Sequence, residues 1–131
     1  MAPLTSLALE LLAERLAIVR LPPDADLPQL PLGGELLSLT VTRDEISIVC
    51  PEDMAPVGTE IAAGWRALRV VGELDFSLIG IMAALTGALA EAGVSVFALS
   101  TYTTDYLLVR EEALEQAVAA LRAAGHTVTG A

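Results

Sequence analysis

The sequence predicts an α+β fold in which helices cover antiparallel sheets, and three observations support this fold class. Apolar residues make up 54% of the 131 residues and charged residues only 18%, so the chain can bury a core. Aromatic residues make up 4%, so this core is aliphatic and its layers are thin. Strand-like and helix-like apolar patterns alternate along the second half of the chain.

The first half of the chain carries strand patterns and little helix. Residues 16–21 and 36–42 are predicted strands, and the turn Arg43-Asp44 joins the second of them to a strand at residues 45–50. These last two strands predict a hairpin. Prolines and glycines between residues 22 and 34 exclude a long helix there. The leucines of residues 7–12 fit a helical stripe and a strand alternation equally well.

The second half gives clearer patterns. Residues 67–71 are a predicted strand, and residues 76–92 a helix with an apolar stripe. Strands at residues 94–99 and 106–110 flank a polar bend, and a second helix runs from Glu111 to about Ala124. A short closing strand follows at residues 126–129. The apolar stripe of the first helix consists of Leu78, Ile81, Met82, Leu85 and Leu89, and its small opposite face of Gly80, Ala83, Ala84, Gly87 and Ala88.

The order of these elements predicts a ferredoxin-like βαββαβ arrangement, with two helices on an antiparallel sheet. Pro51, Pro56 and Gly58 interrupt regular structure before it. We therefore predict a boundary in this loop, with a smaller unit at residues 1–58 and the βαββαβ unit at residues 59–131. Many unrelated functions use this arrangement, so it does not define a function.

The net charge and the cysteine content indicate which kinds of partner and which compartment to expect. Seven basic and seventeen acidic residues give a net charge of −10, which disfavours binding to nucleic acid and to anionic membranes. Cys50 is the single cysteine, so no intramolecular disulfide forms and a reducing cytoplasm is the expected compartment. The apolar N-terminal stretch lacks the basic segment and cleavage site of a signal peptide.

No pattern in the chain predicts catalysis, a metal site or a cofactor. A cysteine nucleophile needs a base, and His126 is the single histidine, far from Cys50 in the chain and without a supporting motif. Zinc-ligand spacings, calcium-binding loops and a P-loop lysine are absent from the sequence. We therefore expect a protein that is not an enzyme.

Two blocks of sequence resemble a known family. The first runs from Gly64-Trp65-Arg66 through Val70-Val71-Gly72 and Leu74-Asp75-Phe76-Ser77-Leu78-Ile79-Gly80-Ile81, and the second from Ser100-Thr101-Tyr102-Thr103-Thr104-Asp105 to Val109. Both resemble the small bacterial tandem ACT-domain proteins, relatives of the animal cytosolic arginine sensors. The resemblance implies ferredoxin-like ACT domains in tandem, with a degenerate first unit. It also favours a strand at residues 7–12, paired with residues 16–21.

The same resemblance implies a regulatory or sensor module that binds an amino acid or a similar small ligand at an interface between ACT units. Backbone N–H groups near Ile79 and Gly80 are expected to bind its carboxylate, and Asp105 or Asp75 its ammonium group. The arginine sensors carry an acidic residue where this chain has Leu78, which leaves the identity of the ligand open. The implied ligand-binding residues are Asp75, Phe76, Ser77, Leu78, Ile79, Gly80, Thr101, Tyr102, Thr104 and Asp105.

Structural roles compete with these assignments. Asp75 or Ser77 would equally well cap the first helix, and the threonines of the bend would equally well be sheet-edge residues. A structural or protein-interaction module without a ligand is therefore the alternative function. The small face of the first helix favours a homodimer in either case.

Overall fold

A computed structural model describes residues 6–30, 32–57, 60–72 and 79–131. Short 3-10 turns at Glu52–Met54 and Glu111–Ala113 accompany the regular elements. The strands and helices are β1 Ala8–Leu11, β2 Leu16–Leu21, β3 Ser38–Val41, β4 Ile46–Pro51, β5 Glu60–Val70, α1 Ile81–Glu91, β6 Phe97–Ser100, β7 Asp105–Arg110, α2 Leu114–Ala123 and β8 Thr127–Thr129.

The chain divides into two compact units. Glu14–Trp65 forms the first, here called the sheet unit, and Met1–Ala13 together with Arg66–Ala131 forms the second, here called the helical unit. The helical unit therefore takes a strand from the N-terminal end of the chain. The boundary predicted at residues 58 and 59 falls on two residues outside those described, and it remains a prediction.

In the sheet unit, β4 pairs with β3 on one edge and with β2 on the other, both antiparallel. The β3–β4 hairpin and the β2 strand were expected from the sequence, and both are confirmed. Thr42 closes the hairpin, because its N–H donates to the carbonyl of Glu45 at 2.9 Å and its Oγ1 accepts the N–H of Asp44 at 3.1 Å. Such a local side-chain bond is a usual role of threonine in turns.

The first half of β5 pairs antiparallel with β2 and contains a bulge. Leu16 pairs with Trp65 but Ile18 with Ala62, so β5 carries one more residue than β2 over this stretch. Gly64 accommodates the bulge with a φ of 83°, and its N–H donates to Oε2 of Glu52 at 2.8 Å. Because the expected strand began at residue 67, the sequence prediction missed the part of β5 that precedes it.

In the helical unit, β5, α1, β6, β7, α2 and β8 follow one another in the predicted βαββαβ order, which confirms the ferredoxin-like α+β fold. The sheet of this unit has the order β6-β7-β5-β1-β8. Strand β1 lies between β5 and β8, antiparallel to the first and parallel to the second. The closing strand β8 therefore pairs with β1.

Two predicted features of this unit are wrong. The ambiguous residues 7–12 form strand β1, but its two edges are occupied by β5 and β8, so the expected pairing with residues 16–21 does not form. Helix α1 begins at Ile81 and not at residue 76, because Gly80 adopts the left-handed conformation with φ 86°. The apolar periodicity continues across Gly80, which is why the sequence pattern placed the start too early.

An aliphatic cluster lies in the helical unit between its sheet and the helices α1 and α2. Leu121 of α2, Leu85 of α1 and Leu68 of β5 are fully buried in it. The remaining buried members are Leu9, Val70, Ile81, Leu89, Val94, Leu107, Val109, Ala117, Val118 and Val128. Burial of this aliphatic surface is the main force that stabilises the unit.

Candidate ligand-binding site

The predicted site combines the start of α1 with the bend between β6 and β7. At the start of α1, Gly80 turns the chain, and its carbonyl accepts the N–H of Ala84 at 2.9 Å as the first helical hydrogen bond. Within the described part of the chain no side chain caps this end of the helix, and the first N–H groups of an α-helix have no intrahelical acceptor. The side chain of Ile79 is 90% exposed just before the turn.

The N-cap residue of α1 is Gly80, so neither Asp75 nor Ser77 occupies that position. Asp75, Phe76, Ser77 and Leu78 lie outside the described residues. Their role as ligand-binding residues therefore remains a prediction.

The bend between β6 and β7 is closed by two of its own threonines. The N–H of Thr101 donates to the carbonyl of Thr104 at 2.9 Å, and the N–H of Thr104 donates to Oγ1 of Thr101 at 3.3 Å. Tyr102 lies at the tip of this turn with 76% of its surface exposed. The bend therefore presents an aromatic side chain on a short, hydrogen-bonded turn.

Thr104 fixes this bend to the sheet. Its side chain is buried, and its Oγ1 donates a hydrogen bond of 2.6 Å to the carbonyl of Val70, the last residue of β5. The bond bridges 34 residues of sequence. The interpretation of Thr104 as an ordinary sheet-edge residue therefore omits its main contact, since a buried hydroxyl without an acceptor would be costly.

Asp105 opens β7 and pairs with Ser100, the last residue of β6. Oγ of Ser100 donates to Oδ1 of Asp105 at 2.6 Å. Among the described residues, Oδ2 of this half-exposed carboxylate accepts no hydrogen bond, and it is free to bind a donor from a ligand. The structure thus brings Thr101, Tyr102, Thr104 and Asp105 together in one turn, while Ile79 and Gly80 lie in a separate segment.

Sequence reasoning missed two contacts that position these elements. The carbonyl of Val70 is the acceptor for Thr104, and no local pattern marks it. The sequence indicates no role for His126, whereas its Nδ1 accepts the N–H of Leu7 at 3.1 Å and its backbone N–H donates to the carbonyl of Leu121. The first of these bonds joins residues 119 positions apart, so nothing near His126 in the sequence could have indicated it.

Two observations concern metal binding and the reactivity of Cys50. No group of three His, Cys, Asp or Glu side chains among them is arranged to hold a metal ion. Cys50 is fully buried, and its pKa is raised above the ordinary value, first by burial and second by the negative charge of Asp53. A buried thiol that keeps its proton is a poor nucleophile.

Within the described part of the chain, no helix has both the length and the apolar character to cross a bilayer.

Comparisons with known proteins agree with this fold. The family model of the ACT domain matches residues 60–123, and the model of a second, N-terminal domain matches residues 14–57. The cytosolic arginine sensor for mTORC1 subunit 1 of Homo sapiens is 36% identical to this chain over 59 residues. That match covers 44% of this chain and 18% of the sensor, so this chain spans less than a fifth of its curated relative.

Two solved structures resemble the fold. An X-ray structure of a protein from Agrobacterium tumefaciens has 34% sequence identity and a TM-score of 0.88, covering 97% of this chain and 93% of that one. The regulatory subunit of aspartate kinase from Thermus thermophilus has 16% identity and a TM-score of 0.63, covering 89% of this chain and 96% of that one. At 16% identity the second likeness concerns the fold alone.

Proposed function

Because this chain belongs to the family of ACT-domain proteins related to the cytosolic arginine sensor, we propose that it is a regulatory module that binds an amino acid. The name of the sensor assigns arginine to that protein, and the Thermus thermophilus structure with a similar fold is a regulatory subunit. A regulatory rather than catalytic role agrees with the buried, protonated thiol of Cys50.

The observation that carries the proposal is the anchored bend between β6 and β7. Thr104 ties it to the end of β5, so Asp105 holds its position before any ligand arrives. A site that is already ordered loses less conformational entropy on binding. In the proposal, Oδ2 of Asp105 binds the ammonium group of the amino acid.

The start of α1 supplies the complementary charge in this proposal. N–H groups near Ile79 and Gly80, together with the first turn of α1, whose N-cap residue Gly80 has no side chain, bind the carboxylate of the ligand at the positive end of the helix dipole. We propose that the ligand lies at an interface between ACT units, with residues 1–58 as the degenerate first unit and residues 59–131 as the second. The net charge of −10 favours the approach of a cationic amino acid.

The oligomeric state and compartment are further parts of the proposal. Ala83 and Gly87 on α1 are exposed and small, so a second copy of the helix can approach this face closely. We propose a homodimer that acts in the cytoplasm, where a lone reduced cysteine is stable.

A thermal-shift screen of the chain against the twenty amino acids tests the proposed function. Binding to the native state alone raises the melting temperature in proportion to the logarithm of ligand concentration. We expect such a rise with at least one amino acid. Asp105→Asn should weaken that binding about tenfold or more, because a charge-assisted hydrogen bond is lost.

Asp44→Asn is the matched control, because Asp44 is an exposed turn residue of the sheet unit and loses the same charge. It should leave the affinity unchanged. If no amino acid raises the melting temperature at millimolar concentration, and the melting temperature depends only on protein concentration, the chain is an interaction module without a ligand. If Asp105→Asn and Asp44→Asn weaken the binding of the amino acid equally, the site lies elsewhere in the chain.

A further inference from the structure

A cavity of about 520 Å³ lies within the helical unit and shares no residue with the proposed amino-acid site. Its volume lies in the range of natural small-molecule sites, roughly 300–1,000 Å³. Leu11 of β1 and Leu114 and Val118 of α2 contribute apolar surface to it, and Arg66 of β5 and Arg122 of α2 contribute cationic surface. The cavity is therefore amphipathic.

Helix α2 builds one side of the cavity with a single stripe of its surface. Glu115, Val118, Ala119 and Arg122 are spaced three, four and seven residues along this helix, so they share one face. On the other side, Gly130 passes close to β1. A Cβ at Gly130 would lie 3.1 Å from the carbonyl oxygen of Leu11, and its φ of 81° favours glycine.

Backbone carbonyls hold both guanidinium groups in place. Nη2 of Arg122 donates to the carbonyl of Val128 at 2.8 Å, and Nη2 of Arg66 donates to the carbonyl of Leu12 at 3.1 Å. These acceptors are neutral, so they orient the groups without cancelling their charge. A planar guanidinium held in this way is suited to a carboxylate, which it can bind through two parallel hydrogen bonds.

The two arginines differ in whether a carboxylate lies close to their positive charge. Nη1 of Arg66 lies 3.8 Å from Oε1 of Glu111, whereas Arg122 has no carboxylate partner within 4.0 Å among the described residues. The chain has seven basic and seventeen acidic residues, so an unpaired arginine beside a second one is unusual for this protein. Arg122 is therefore the stronger candidate to bind an anion.

We infer that this cavity binds a small monocarboxylate with an apolar body. Arg122, assisted by Arg66, binds the carboxylate, and the apolar body packs against Leu11, Leu114 and Val118. Glu115 also lines the cavity, and its negative charge disfavours ligands with two carboxylates. This second site does not depend on the proposed amino-acid site.

Titration of the ¹⁵N-labelled full chain with 4-methylpentanoate tests the inference, because this probe carries a carboxylate and a branched apolar body but no ammonium group. We expect saturable amide shifts at Leu11, Leu114, Val118 and Arg122 at millimolar probe or below. 4-Methylpentan-1-ol, which keeps the apolar body without the charge, should bind at least about tenfold more weakly.

Two variants separate a specific site from a surface effect. Arg122→Gln should weaken binding about tenfold, and the matched control Arg43→Gln, an exposed turn residue of the sheet unit, should not. Ala119→Phe adds bulk at the cavity without changing charge and should abolish binding. Ala90→Phe, at an exposed position of α1 outside the cavity lining, should leave binding intact.

The inference is overturned if 4-methylpentanoate causes no saturable shifts, or if Arg122→Gln and Arg43→Gln bind it equally well. It is also overturned if the unsubstituted chain does not bind 4-methylpentanoate and Ala119→Phe changes the sedimentation of the chain. A second copy of the chain would then cover the cavity. Failure of the amino-acid site would leave these results untouched, because that site is tested through Asp105.

Discussion

The helical unit covers its sheet with α1 and α2, whereas the sheet unit contains no α-helix within residues 14–30, 32–57 and 60–65. Its core of Val19, Ile46, Ile48 and other aliphatic residues is packed instead by loop residues such as Leu30 and Ala55. Loops bury less apolar surface than helices with a continuous stripe. We therefore expect the chain to concentrate its stability in the helical unit, which also carries the candidate site.

The largest expected effect is on the free energy of unfolding, when a leucine is shortened to alanine in each of the two units. Leu121→Ala removes a fully buried side chain of α2 and should lower the free energy of unfolding by about 3 kcal/mol. Leu30→Ala removes a half-buried side chain from a loop of the sheet unit and should cost about 1 kcal/mol. Urea unfolding followed by circular dichroism measures both. Equal costs would contradict the view that loops cover the sheet unit weakly.

A smaller effect is expected where the helical unit supports the candidate site. Thr104→Val keeps the shape of the side chain but leaves the carbonyl of Val70 without its donor, which should cost about 1–2 kcal/mol. Thr103→Val, on the exposed side of the same bend, should change stability by less than about 0.5 kcal/mol. The same unfolding assay compares the two. A Thr104→Val protein as stable as Thr103→Val would mean that the bend is not anchored through this hydroxyl.

The smallest effect concerns the core of the sheet unit at alkaline pH. Burial, and secondarily Asp53, raise the pKa of the Cys50 thiol in the folded chain. The unfolded chain therefore releases this proton at lower pH than the folded chain, and stability is lost as the pH rises above the ordinary pKa of a cysteine. Cys50→Ala should make the free energy of unfolding fall less steeply with alkaline pH. Identical pH slopes for the two proteins would show that Cys50 does not contribute.

The local patterns of the chain predicted most of its secondary structure. Strand β2, the β3–β4 hairpin and the βαββαβ order follow from alternation, helical stripes and turn residues, each of which is encoded within a few neighbouring positions. The pairing of the strands was harder to predict from the sequence. Nothing near residues 7–12 indicates that β1 lies between β5 and β8, because that choice depends on one partner in the middle of the chain and one at its opposite end.

The candidate site was predictable in part for the same reason. A resemblance of sequence indicated the residues of the bend and of the loop before α1, whereas their physical support was not visible. The bond from Thr104 to Val70 spans 34 residues, and the bond from Leu7 to His126 spans 119. The sequence pattern places Gly80 inside the first helix and among the implied ligand-binding residues, but it does not indicate the left-handed conformation that Gly80 adopts just before α1.

The central claim is that the helical unit binds an amino acid beside the β6–β7 bend. An NMR titration of the ¹⁵N-labelled chain with the best amino acid from the thermal screen tests it most directly. The account predicts saturable shifts at the amides of Ile79, Gly80, Thr101, Tyr102, Thr104 and Asp105, which Asp105→Asn weakens and Asp44→Asn does not. Shifts confined to other residues, with these amides unmoved at saturation, would contradict it.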